Sequence, residues 1–335
     1  MTRARDNSFN PFNTQIAGKN LVINGGMDIW QRGTSFASST STYVFTADRW
    51  EIVRHGYLLG MTVSRQTAGL DGFRYCARIQ RDSGNTSTND LQFQTSFETS
   101  EVLPFINKQM TISFYARKSP TASSSSLNSR IIAGTGTDQA MKNYTGGTVS
   151  FQQTFTLTDS WQRFSFSGTV SSPYNEFGIW FGYNPTGTAG AADYVEITGV
   201  QIELGANATQ FTRNSGSIQA ELAACQRYYQ KIGTEGNLYQ QFALCTAESS
   251  TTAWGPIYLP VKIRITPSGS FTSTQAWNFQ GTTISNANMY YDPNQSTPSI
   301  AVIGSQSLAG MTAFSTRYIR ANNDSTTSVN LSAEL

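Results

Sequence analysis

The feature that most constrains this chain is alternation. Between residues 20 and 205, short stretches rich in β-branched and aromatic residues repeat: 57–66, 73–81, 91–98, 109–118, 149–157, 162–170, 177–184 and 194–204. Turn signals separate them, among them Asp71-Gly72, Ser83-Gly84, Gly146-Gly147 and Asn184-Pro185. Eight or nine strands with no helical period between them predict an antiparallel sandwich. In FGIWFGYN (177–184), side chains alternate across the strand. Phe177, Ile179, Phe181 and Tyr183 therefore form one apolar face, while Trp180 points the other way, toward solvent or another subunit. The polar segment 119–130 reads as a long surface loop.

Composition supports many half-buried strands. Charged residues are 13% and aromatic residues 12% of the 335. Low charge and many rings argue against disorder by charge excess. A net charge of +2, evenly spread, leaves no nucleic-acid footprint, and the basic cluster at 2–5 reads as a solvated terminus. No run reaches the ~20 apolar residues of a membrane helix, so membrane insertion is not expected. The N-terminus shows no secretory signal. Cys76, Cys225 and Cys245 are odd in number and scattered, which speaks against a disulfide framework or a zinc site and for synthesis in a reducing cytosol.

Residues 1–19 lack any period and read as an arm, with Phe9 and Phe12 as candidate anchors because exposed Phe is costly. The spacing predicts one helix, over 215–233, with Ser217 as N-cap, Glu221 in the first turn and Gly233 at its end. Ile218, Leu222, Cys225, Tyr229 and Ile232 step by four and three, like a coiled-coil seam. Two readings follow: a helix packed on its own sheet, or one bundled with copies of itself. Strand patterns then return. In 261–265, flanked by Pro260 and Pro267, Val261, Ile263 and Ile265 are expected on one face and Lys262 and Arg264 on the other.

Catalytic constellations are sparse. His55 is the one histidine and reads as a turn residue; there is no nucleophile elbow, no metal-ligand spacing and no phosphate loop. Paired carboxylates could come from Asp48, Glu51, Glu98, Asp193 or Glu196, but nothing in the sequence joins any two. The expectation is a non-enzyme without cofactor or metal. Trp180, Trp50 and Tyr57 are the candidate glycan-stacking residues, and Trp161 is expected to be buried.

NLVINGGMDIWQRG (20–33) with TADRW (46–50) resembles the opening of a domain common in tailed-bacteriophage virion proteins. ITGVQIELGANATQFTR (197–213) with ELAACQRYYQK (221–231) resembles that domain's end, and VKIRITPS (261–268) a strand downstream of it, with Ile263 where Met is usual. Its outline is similar to carbohydrate-binding jelly rolls. The resemblance implies a first strand that sends Leu21 and Ile23 into the core, Gly25 and Gly26 at a bend, and Trp30 over the open end. It also implies a virion fibre or tail protein, made in the host cytoplasm, that attaches to a host glycan or receptor as a homotrimer. The expected organisation is a mainly β chain: arm 1–19 docked on other virion proteins, jelly-roll sandwich 20–212, linking and oligomerisation helix 213–233, and a smaller C-terminal β-sandwich 234–335. Alternatives are a capsid decoration, head fibre or collar protein without adhesion, a glycan depolymerase, and a binding module of a secreted bacterial protein.

Overall fold

The computed structural model describes residues 19–37, 43–53, 60–233, 236–272, 277–279, 282–284, 288–306 and 311–335. Among the described residues, the first half builds twelve strands: β1 (Ser35–Phe36), β2 (Tyr43–Phe45), β3 (Glu51–Val53), β4 (Met61–Leu70), β5 (Phe73–Arg81) and β6 (Leu91–Ser96), then β7 (Gln109–Lys118), β8 (Ser126–Gly134), β9 (Thr148–Thr156), β10 (Gln162–Thr169), β11 (Glu176–Tyr183) and β12 (Asp193–Leu204). A single turn, α1 (Thr99–Val102), lies between β6 and β7. The strands form two antiparallel sheets, ordered β1-β4-β5-β12-β7-β10 and β2-β3-β6-β11-β8-β9. This is the antiparallel sandwich that the alternation predicts, in the jelly-roll form that the resemblance implies. The two inner faces share one core, with Met110, Ile112, Phe114, Val195 and Ile197 from the first sheet and Phe93, Ile131, Phe177, Ile179 and Phe181 from the second.

Residues 20–27 are not the expected first strand. They form turns that fill a bulge in β12, where the register shifts between Thr198 and Gln201. Asn20 supplies the hydrogen bonds a strand would have supplied. Its Nδ2 donates to Val200 O (3.1 Å) and Thr212 O (3.0 Å), and its Oδ1 accepts from Val22 N (2.9 Å) and Ile202 N (3.1 Å). Gly25 passes so close to β12 that a Cβ there would lie 2.1 Å from Val200 O. Leu21 joins the core as expected and Trp30 packs into the same core, but Ile23 packs elsewhere, against Cys225 and Tyr228. The segment expected as a loop at 119–130 is half strand. β8 starts at Ser126, and Leu127, Ile131 and Ala133 are fully buried between β11 and β9. Small serines hid a central strand, because they fit a crowded interior without looking apolar.

Helix α2 covers only Ile218–Gln226. Ser217 caps it as expected, its side chain accepting from Ala220 N (3.2 Å). The chain then turns into β13 (Tyr229–Gly233), which pairs with β22 (Ser328–Ser332); β16 (Ser268–Thr272) completes a three-stranded sheet. The remaining strands are β14 (Gln241–Ala247), β15 (Ala253–Tyr258), β17 (Trp277–Phe279), β18 (Thr282–Ile284), β19 (Met289–Tyr291), β20 (Ile300–Ser305) and β21 (Thr316–Ala321). They form a seven-stranded sheet ordered β18-β17-β21-β14-β15-β20-β19. Cys245, Ile303, Ile319, Val329 and Leu331 are among the residues that close a second, smaller core between these two sheets. Residues 261–265 are bent rather than extended: Ile263 is buried while Ile265 is exposed. Pro260 and Pro267 donate no hydrogen bond, and Arg264 N turns instead to Arg227 O (2.7 Å).

Charged contacts fasten the two halves. Glu334 pairs with Arg32 (3.0 Å) and with the buried Arg49, and these guanidinium groups lie 3.6 Å over the rings of Tyr229 and Tyr228. Glu98 receives Arg227 (2.9 and 2.8 Å) and the Tyr228 hydroxyl (2.7 Å).

Candidate functional site

The outward face of the second sheet carries a transverse row of paired residues. Reading across the strands, Glu51 faces Gln94, Gln94 faces Trp180, Trp180 faces Arg130, and Arg130 faces Gln152. The next row is Tyr43, Val53, Gln92, Gly182, Asn128 and Thr154. Amides, a guanidinium and a ring thus occupy the side of each strand that faces away from the core.

Two glycines shape the floor. On β11 the outward positions are Gly178, Trp180 and Gly182. A Cβ at Gly182 would stand 2.2 Å from the Trp180 ring, and one at Gly178 would stand 2.5 Å from Met141 and 2.6 Å from Thr95 O. The indole therefore lies flat over Gly182 instead of standing up from the sheet. Arg130 covers it, with its guanidinium carbon 4.4 Å from the ring centroid, so the ring is only 4% exposed.

Hydrogen bonds hold the polar groups in place. Arg130 Nε donates to Asn128 Oδ1 (2.9 Å), and Asn128 Nδ2 donates to Thr154 Oγ1 (2.8 Å). Gln94 Nε2 donates to Glu51 Oε2 (3.1 Å), and Lys142 Nζ donates to Glu51 Oε1 (3.0 Å) while lying 4.5 Å over the Tyr43 ring. Lys142 and Met141 come from a 3₁₀ turn, Met141–Asn143, that forms one wall. The shallow, open cleft has a volume of about 250 Å³ and is lined by Tyr43, Gln92, Gln94, Arg130, Lys142 and Trp180, among others. A larger cavity of about 490 Å³ beside Leu21, Pro104, Phe105 and Leu204 is more apolar and lacks such a row of amides.

Several sequence expectations fall differently. Trp180 is on the outer face, as its alternation requires, but Arg130 and the wall cover its ring, so it does not stand free for stacking. Trp50 is wholly buried and stacks on Phe93 at 4.7 Å, so it cannot meet a ligand. Trp161 is half-buried, donating to Ala68 O (2.8 Å). Tyr57, His55, Phe9 and Phe12 lie outside the described residues. The helical seam is broken: Ile218 is exposed, Leu222 half-buried and Cys225 buried against Ile23, while Tyr229 and Ile232 belong to β13 and no longer share a helix face. The candidate carboxylates are each engaged. Asp193 pairs with buried Arg81 (2.6 Å), and Glu196 with Arg78 and Arg117 (both 2.6 Å). Burial raises the Asp193 carboxyl, but hydrogen bonds from Tyr183, Ser123 and Arg81 outweigh it and leave the group below its ordinary range. Asp48 accepts from Gln31 N (2.9 Å), and burial pushes it up to about 6 against the opposing charge of Arg32.

Sequence reading missed Gln92, Gln94, Arg130 and Lys142. One signal was present: glycines two residues either side of Trp180 leave a groove on whichever face the ring takes. The pairing partners were not readable, because register joins residues about 40 to 90 positions apart.

No protein-family profile matches the chain, and no curated protein matches it. Among solved structures, a CBM4 protein is 24% identical with a TM-score of 0.35, aligned over 55% of this chain and 100% of that one. The CBM22-1 xylan-binding domain of Xyn10C from Paenibacillus barcinonensis is 15% identical, with a TM-score of 0.31 over 57% of this chain and 98% of that one. The enzymatically active domain of tailspike protein 4 from bacteriophage CBA120 is 14% identical, with a TM-score of 0.35, over 56% of this chain and 21% of that one. At these scores the likenesses carry no weight for function.

Proposed function

We propose that this chain is a non-catalytic glycan-binding protein whose site is the cleft on the outer face of the second sheet. One observation carries the reading: the Glu51–Gln94–Trp180–Arg130 row and its neighbour Gln92 gather hydrogen-bonding side chains into one trough on a rigid sheet. Amides and charged groups there can bond several sugar hydroxyls at once, which is how a polar ligand with little apolar surface is held. The arginine and lysine partners that hold Asp193, Glu196, Glu98 and Glu51 support binding without hydrolysis, since a glycosidase needs two carboxyl groups free to act on one bond.

The biological setting follows the sequence resemblance: host attachment by a phage particle, with three copies giving weak sites collective strength. Affinity electrophoresis through gels containing single polysaccharides tests the binding. Retardation by at least one polymer that is lost on combined replacement of Gln92 and Gln94 by Ala is expected, and unchanged retardation in that variant would refute the cleft. Light scattering tests the assembly, with a mass near three times 36.7 kDa expected and a clean monomer refuting it.

A further inference from the structure

We infer that the cleft selects an acidic glycan, one bearing a carboxylate such as a uronate, with Arg130 as the selecting residue; this rests on the proposed glycan-binding cleft. The charged groups that line the cleft are Arg130 and Lys142, and Glu51 stands beside it in the same row. Lys142 and Glu51 neutralise each other at 3.0 Å. Arg130 is different: among the described residues it pairs with no carboxylate, and its single hydrogen bond is from Nε to Asn128. Its two terminal amino groups therefore keep their N–H donors available.

The placement of Arg130 is built rather than incidental. Gly182 lets the indole lie down, the indole lies beneath the guanidinium carbon, and Asn128, itself fixed by Thr154, holds its Nε. With Nε tied to Asn128 and its carbon 4.4 Å from the ring centroid, the guanidinium keeps both terminal amino groups for a ligand, and such a fork matches a carboxylate with two parallel hydrogen bonds. A neutral pyranose offers the same fork only uncharged hydroxyl oxygens, which accept more weakly than a carboxylate. The covered ring agrees with this: Arg130 occupies the indole face on which a neutral sugar would stack.

The test uses the full chain in affinity electrophoresis against polygalacturonate, alginate and hyaluronan, each beside its carboxyl-reduced, neutral counterpart, with neutral xylan added. Tighter binding of at least one native polymer, by about ten- to a hundredfold over its reduced form, is expected. Arg130→Gln should bring the native form down to the reduced one. Arg130→Lys keeps the charge without the fork and should retain a salt-sensitive but smaller preference, which separates lost recognition from lost folding. Equal binding of native and reduced forms, or a preference that survives R130Q, would overturn the acidic selection while leaving the cleft standing. Retardation by none of these polymers would overturn both.

Discussion

Replacing Gly182 with alanine perturbs the cleft at its floor. The added Cβ would lie 2.2 Å from the Trp180 ring and 2.8 Å from two further ring atoms. Ordinary contact begins near 3.4 Å, so the indole must lift by about 1.2 Å. It cannot do so and keep Arg130 at 4.4 Å with Arg130 Nε still bonded to Asn128. Overpacking costs about 1–3 kcal/mol, and loss of the cation–π contact about 0.5–2 kcal/mol, so a destabilisation of about 2–4 kcal/mol is expected. Urea unfolding followed by circular dichroism measures it, and gel retardation of the folded variant should weaken in parallel. Gly190→Ala is the control, because no atom lies within 4 Å of a Cβ there. If G182A stays within about 0.5 kcal/mol of the parent and binds polysaccharide unchanged, the indole does not rest on that glycine and the cleft does not depend on it.

Other outcomes are equally concrete. Asn20→Ala strips four backbone groups of their partner and should cost about 2–4 kcal/mol in denaturant unfolding; a loss below 1 kcal/mol would show that the β12 bulge does not depend on it. Arg81→Ala leaves Asp193 buried without its charge partner, along with the carbonyls of Thr186 and Gly187, so a loss of about 3–5 kcal/mol is expected, and an unaffected unfolding midpoint would contradict this. Asp48 holds its proton to about pH 6 in the folded chain and to about 3.8 when unfolded. The folded state therefore loses stability as pH rises from about 4 to about 6, by about 3 kcal/mol at most. The gap between the parent and D48N in thermal melts should change across that window, and a constant gap from pH 4 to 7 would refute the assignment.

The alternating segments of the first half did dictate local structure. In β11, residues 177, 179, 181 and 183 enter the core and Trp180 leaves it, because a strand has only two sides and one must be apolar. Ser217 was readable as a cap for the same local reason, since its hydroxyl bonds an amide three residues away. Elements that depend on distant partners were not legible. β8 looked like a serine loop because its burial is set by β9 and β11. The seam at 218–232 breaks at Arg227 because β22 offers Tyr229–Gly233 a pairing edge, and a strand gained there outweighs two further helical turns.

Sequence alone therefore settled which residues turn inward where a strand alternates openly, as in β11. It did not settle what stands beside them. Glu51, Gln94, Trp180 and Arg130 come from four separate strands, and only interstrand register sets them in one line. Periodicity is a property of one strand and is written in consecutive residues. Register is a property of two, decided when the shared core closes and a slip of one residue would turn every apolar side chain out into water.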